Sequence, residues 1–208
     1  MISLLKLENK RRRRLRKMAL HLSAAHRELG SYRIFGDSHV LYMCWRWEDA
    51  FEAHWIGPRT AHMLCSHQDA FVQYIREDKP NLFLFGAIDV RYHIPREPCT
   101  KTTAAIEDTV KRYVSTVRGV CPRAVIVSIV PPPLGGRDFA RHDEMVRQFN
   151  TALRDHCVGA SLRFLDVHPA WCTFRVQGNA YADSTHMREA AGLLLLSAIK
   201  EAPDLRMS

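Results

Sequence analysis

The chain has 208 residues, 47% hydrophobic and 25% charged, which supports a packed core and excludes wholesale disorder. Its formal net charge of +8 is unevenly placed: residues 1–29 hold nine Lys/Arg against Glu8 and Glu28, a net of +7, and the remainder is close to neutral. The longest apolar stretch, Ala190–Ile199, falls well short of the ~18 residues a membrane-spanning helix needs.

The basic segment comes first. Arg11-Arg12-Arg13-Arg14, set among Leu4, Leu5, Leu7, Leu15 and Met18, reads as a basic helical extension over residues 1–29. It has no aromatic residue for base stacking and no nucleic-acid fold signature, so nucleic acid is not expected as a partner. Two readings stay open for residues 6–17: a solvated basic helix, or peripheral contact with an anionic membrane surface or a partner. Met1–Leu5 is apolar only briefly and precedes the basic run, the reverse of a secretory signal. A cytoplasmic location, peripheral to the membrane at most, is therefore the expectation.

From Tyr32 onward, short apolar runs ending in Gly, Asp or Pro alternate with segments of helical period, the pattern of parallel strands joined by helices. Strands are predicted at Tyr32–Gly36, His54–Gly57, Leu82–Gly86, Ala124–Val130 and Leu162–Asp166. Their nearly unbroken Val, Ile, Leu and Phe content suits a sheet covered on both faces. Helices are predicted at Val40–Ala53, Arg59–Ile75, Thr103–Arg118, Arg141–His156 and Met187–Lys200. No repeat or low-complexity linker divides residues 30–208, which read as one α/β domain. The aromatic group Tyr42, Trp45, Trp47, Phe51 and Trp55 reads as core packing or as the lining of a sugar or acyl pocket.

In an open parallel sheet, ligands bind outside the carboxyl ends of the strands, which directs attention to the loops there. Gly36-Asp37-Ser38 places Ser38 on a tight strand-to-helix turn, with its hydroxyl at the mouth of the cleft. A serine hydroxyl needs a base to become a nucleophile. His186, three residues after Asp183 and just before the last helix, is the candidate base, with Asp183 accepting from its Nδ1–H and leaving Nε2 to activate Ser38. Gly57 offers an unhindered N–H to an oxyanion, beside the amide of Ser38 itself. Taken singly, Asp37 and Ser38, and likewise Asp183, Ser184 and Thr185, also read as helix N-caps. Capping alone does not require both motifs in one chain.

Arg33-Ile34-Phe35-Gly36-Asp37-Ser38, Gly57 with Thr60-Ala61, Gly86-Ala87-Ile88-Asp89 and Asp183-Ser184-Thr185-His186 together resemble, in order and spacing, the sequence blocks of the SGNH hydrolases, also called the GDSL esterase/lipase superfamily. The resemblance covers about residues 32–200. It implies a flavodoxin-like three-layer α/β/α fold with a five-stranded parallel sheet, and hydrolysis of acyl esters through a serine acyl-enzyme without metal or organic cofactor. The form Gly-x-Ile-Asp-x-Arg-x-His is also similar to a subgroup associated with bacterial polysaccharide modification.

The chain departs from that pattern at Ile88, which stands where the family carries an oxyanion-binding Asn. Arg91 is the candidate substitute donor, with His93 just beyond it. Asp89 and Arg91 also read as an ion pair at the strand end. His39 reads either as a substrate contact or as the start of a helix. The eleven histidines and six cysteines form no ligand motif, so neither a metal site nor a disulfide framework is expected.

The functional expectation is a serine esterase removing acetyl or another short acyl group from a carbohydrate or related small molecule. Its alternatives are a non-catalytic glycan- or partner-binding protein of the same fold, or an acyltransferase using the same serine.

Overall fold

In the computed structural model the described residues are 31–44, 46–47, 49–56, 60–96, 99–134, 138–176, 180–182 and 186–202. Strand β1 (Tyr32–Gly36) leads into the short helix α1 (Ser38–Cys44), followed by β2 (Phe51–Trp55), α2 (Ala61–Leu64), α3 (Asp69–Val72) and β3 (Asn81–Leu84). After tight helical turns over residues 89–96 and 99–101 come α4 (Thr102–Val120), β4 (Val125–Val127), α5 (Phe139–Gly159), β5 (Arg163–Leu165), α6 (His168–Val176) and α7 (Ala190–Glu201). The basic extension of residues 1–29 lies outside the described residues.

The five strands pair in parallel in the order β2-β1-β3-β4-β5, the flavodoxin-like arrangement that the motif resemblance implies. Alternation along the strands builds the two covering layers. Ile34, Leu82, Leu84, Val125 and Val127 face one way, onto Val40 and Met43 of α1, Trp171 of α6 and Leu195 and Ile199 of α7. Phe35, Phe83 and Ile126 face the other way, onto Leu64, Phe71, Val110, Tyr113 and Phe149 of α2 to α5. The result is a three-layer α/β/α sandwich. Chain order reverses between β1 and β3, so the turns after these strands flank the crevice where such folds bind ligands.

Two predicted helices need correction, the strand expected at His54–Gly57 runs instead over Phe51–Trp55, and one helix is additional. The helix expected over Val40–Ala53 stops at Cys44, because Phe51 and Ala53 belong to β2. The apolar spacing of this stretch suits either period, and pairing with β1 decides it: Tyr32 N–H bonds Ala50 O at 3.0 Å, and Phe51 is completely buried in the sheet face. The helix expected over Arg59–Ile75 is two separate turns, α2 and α3. Bonds of i→i+3 type, Ser66 N–H to Met63 O and His67 N–H to Leu64 O, tighten and end the first of them. Helix α6 was not predicted. It is short and carries Pro169 in its opening turn, where a missing N–H does little harm, and Trp171 anchors it by donating from Nε1 to Ala191 O at 3.1 Å.

Candidate active site

The site begins with a glycine that has no room for a side chain. A Cβ on Gly36 would fall 2.2 Å from Val40 Cγ2 and 2.7 Å from Leu84 O, so α1 can turn back over the end of the sheet only if this residue is glycine. Asp37 is buried and stabilises the turn: its Oδ1 accepts from His39 N–H at 2.9 Å, the capping role open to it from sequence. The same oxygen lies 2.8 Å from His39 Nδ1. A carboxylate can only accept, so Nδ1 is the donor in this contact. His39 is nearly fully buried.

Ser38 follows, half-buried at the start of α1. Its Oγ is 2.6 Å from His186 Nε2, across 148 residues of sequence. Several long-range contacts set that meeting. A Cβ on Gly192 would lie 2.2 Å from Met43 O, so only glycine lets α7 pack this closely on the end of α1. Trp47 Nε1 donates to Glu189 O at 2.7 Å and ties down the start of α7. Ahead of that helix, a small antiparallel bridge joins Tyr181 to Met187, with Ala182 N–H bonding His186 O at 2.8 Å. Tyr181 also donates its hydroxyl proton to Pro131 O at 2.5 Å, fastening the segment to the loop after β4. His186 is 1% exposed, its ring stacked on Tyr42 with centroids 4.3 Å apart and planes 9° apart. The His39 ring lies 5.1 Å from it, tilted by 50°.

The turn after β3 has a different construction. Asp89 is fully buried, its Oδ2 accepting from Ala61 N–H at 2.7 Å and its Oδ1 from His62 N–H at 3.2 Å. Where a strand-end ion pair with Arg91 was one expectation, both oxygens of this carboxylate face backbone donors at the head of α2. Burial pushes its pKa up to about 6, and the negative charge of Asp37 adds to that; the amides of Ala61 and His62 and the hydroxyl of Thr60 oppose it. Asp89 thereby clasps the β3 turn to the end of the β2–α2 loop.

Ile88, half-buried, opens the helical turn Asp89–His93 and brings no side-chain donor. Arg91 is half-buried, its guanidinium carbon 5.3 Å from the Tyr92 ring centre. Its charge, after burial, helps push the pKa of His142 at the start of α5 below the ordinary value. His93 is exposed.

Of the residues singled out from sequence, Ser38, His186, His39 and Asp37 are thus linked by a run of contacts, and Asp89 braces the neighbouring turn. Asp183 and Gly57 lie outside the described residues. Among the described residues no three His, Cys, Asp or Glu side chains are grouped to hold a metal ion. Nor is any helix among them long and apolar enough to cross a membrane. Sequence reasoning placed Tyr42 only in a general aromatic group. The missed signal is its spacing of four from Ser38, which puts both on one face of α1.

No protein-family description and no curated protein matches the chain. Solved structures do share its fold. A Streptococcus pneumonia protein described as a candidate platelet activating factor is 16% identical, with a TM-score of 0.63 over 96% of this chain and 97% of its own. A member of the lipolytic G-D-S-L family from Veillonella parvula is 13% identical, with a TM-score of 0.58 over 83% of this chain and 97% of its own. An acetylxylan esterase from Geobacillus stearothermophilus is 15% identical, with a TM-score of 0.56 over 84% of this chain and 95% of its own. At these identities the likeness establishes the fold, which is the three-layer α/β/α fold of the SGNH, or G-D-S-L, hydrolases.

Proposed function

We propose that the protein is a serine esterase that removes acetyl or another short acyl group, with a carbohydrate or related small molecule as the alcohol part of its substrate. The observation that carries this reading is the 2.6 Å approach of Ser38 Oγ to a buried His186 Nε2 at the carboxyl end of β1. A helix-capping serine has no need of an imidazole from the far end of the chain. The acetylxylan esterase among the proteins of this fold supports the choice of acyl group and of carbohydrate.

With Nε2 unprotonated, the Ser38 hydroxyl donates to it, and transfer of that proton lets Oγ attack the ester carbonyl. The tetrahedral oxyanion needs donors already in place. The Ser38 amide at the start of α1 is one, and Gly57 and Arg91 are assigned the others, Ile88 having none to give. Collapse breaks the bond to the sugar oxygen, which leaves with the proton held by His186. Water then gives a proton to His186 and its oxygen to the acyl carbon, releasing the carboxylic acid and restoring Ser38. In this scheme Asp183 orients His186 through Nδ1, and no metal or organic cofactor takes part.

Ile88 also favours a second reading, a protein of this fold that binds a glycan or partner without cleaving it. Assaying 4-nitrophenyl acetate, then acetylated xylo-oligosaccharides, discriminates the two. The esterase reading expects release of acetate from both, and no release from either refutes it.

A further inference from the structure

We infer that Tyr42 is a positioning residue for the base, its ring face stabilising the imidazolium that His186 becomes when Ser38 gives up its proton. The inference rests on the reading of His186 as that base and adds a residue to it. Tyr42 is one turn beyond Ser38 on α1, so a single short helix presents both the hydroxyl at the edge of the imidazole and the ring beneath its plane. The centroid separation of 4.3 Å and the near-parallel 9° leave the two faces in direct contact. A neutral imidazole gains packing from such a stack. An imidazolium gains, in addition, the attraction of a cation to the negative face of an aromatic ring, which operates within ~6 Å of the centroid. The interaction therefore strengthens along the reaction path, the condition for accelerating the chemical step.

Burial makes this attraction effective, because Tyr42 is 6% and His186 1% exposed, and little water screens the pair. Other groups also contact the imidazole. From the β1–α1 turn come Ser38 and the tilted ring of His39, whose Nδ1 is tied to the Asp37 carboxylate. On the described elements, the one ring stacked in parallel on His186 is that of Tyr42.

The test titrates the His186 imidazole by NMR in the full-length Ser38→Ala protein, which reports the stack whether or not any ester is turned over. Tyr42→Leu is expected to lower the His186 pKa by about 0.5 to 1.5, and Tyr42→Phe, which keeps the ring face, to hold it close to the parent. Tyr42→Met, similar in volume and without a ring, replaces Leu if circular dichroism shows that Leu misfolds. With Ser38 restored, loss of the ring is expected to lower kcat by roughly 3- to 30-fold and to move the acidic limb of kcat/KM to lower pH, and Tyr42→Phe to recover most of both. A merely structural role would depress the rate and leave the limb in place. A His186 pKa unchanged in the folded ring-less variants, or lowered equally by Phe, overturns the inference. Neither result touches the pairing of Ser38 with His186, which fails separately if the parent protein has no esterase activity.

Discussion

The turns after β1 and β3 lie side by side at the carboxyl edge of the sheet, and they are held by opposite means. The first is local: within Gly36–Tyr42 one glycine admits the helix, one carboxylate caps it, one hydroxyl meets His186 and one ring stacks on that imidazole. The second is braced from a distance, by Asp89 reaching amides 28 and 27 residues earlier in the chain at the head of α2. A turn that carries its own cap and helix tolerates chemistry in a continuous motif. One that relies on a buried carboxylate for its shape puts its requirement at the clasp and leaves neighbouring positions, Ile88 among them, freer to vary.

Breaking the first turn's chemistry should give the largest effect. Ser38→Ala and His186→Ala are each expected to reduce ester turnover by on the order of 10,000-fold or more, and the double variant to be little worse than either, since the two groups act as a unit. Steady-state kinetics on a short-chain aryl ester measures this, and full additivity of the two losses would separate the residues. In the second turn, Arg91→Ala is expected to lower kcat by about 100- to 1,000-fold with a small change in KM, as for loss of one oxyanion donor. An unchanged kcat in a folded variant would remove Arg91 from the scheme.

Stability separates the turns on a smaller scale. Gly36→Ala forces a methyl against Val40 and Leu84 O, and is expected to cost about 1–3 kcal/mol in urea unfolding. Asp89 should leave a pH signature instead. Its pKa in the folded chain, about 6, lies above the ordinary 3.8, so the folded state holds the proton more tightly than the unfolded one. The stability this group contributes is complete below about pH 4 and is lost as pH rises to about 6, a change of up to about 3 kcal/mol. Asp89→Asn, which does not titrate, should flatten the urea midpoint across that window, and an unaltered pH slope would place the titration elsewhere.

The sequence made the local turn legible and the braced one only partly so. Gly36-Asp37-Ser38 after an apolar strand and a histidine before the last helix could be read because each motif is contiguous. The sheet was equally accessible: its parallel pattern and all five strands follow from short apolar runs, though β2 was placed three residues late, starting at His54 where the strand begins at Phe51. The destination of the Asp89 carboxylate was not accessible, because backbone amides have no residue signature. Nor was the stacking of Tyr42, which depends on where α7 brings His186 and so on Gly192 packing against Met43. The split of Arg59–Ile75 into two turns likewise depends on tertiary packing, with Leu64 and Phe71 both drawn into the core beneath the sheet.

The central claim, that Ser38 is a nucleophile activated by His186, is tested most directly by treating the full-length protein with a fluorophosphonate and locating the adduct by peptide mass spectrometry. The account predicts a single stoichiometric adduct on Ser38, slowed severely by His186→Ala and abolished by Ser38→Ala. A folded protein that remains unlabelled, or that is labelled equally well without Ser38, would contradict it.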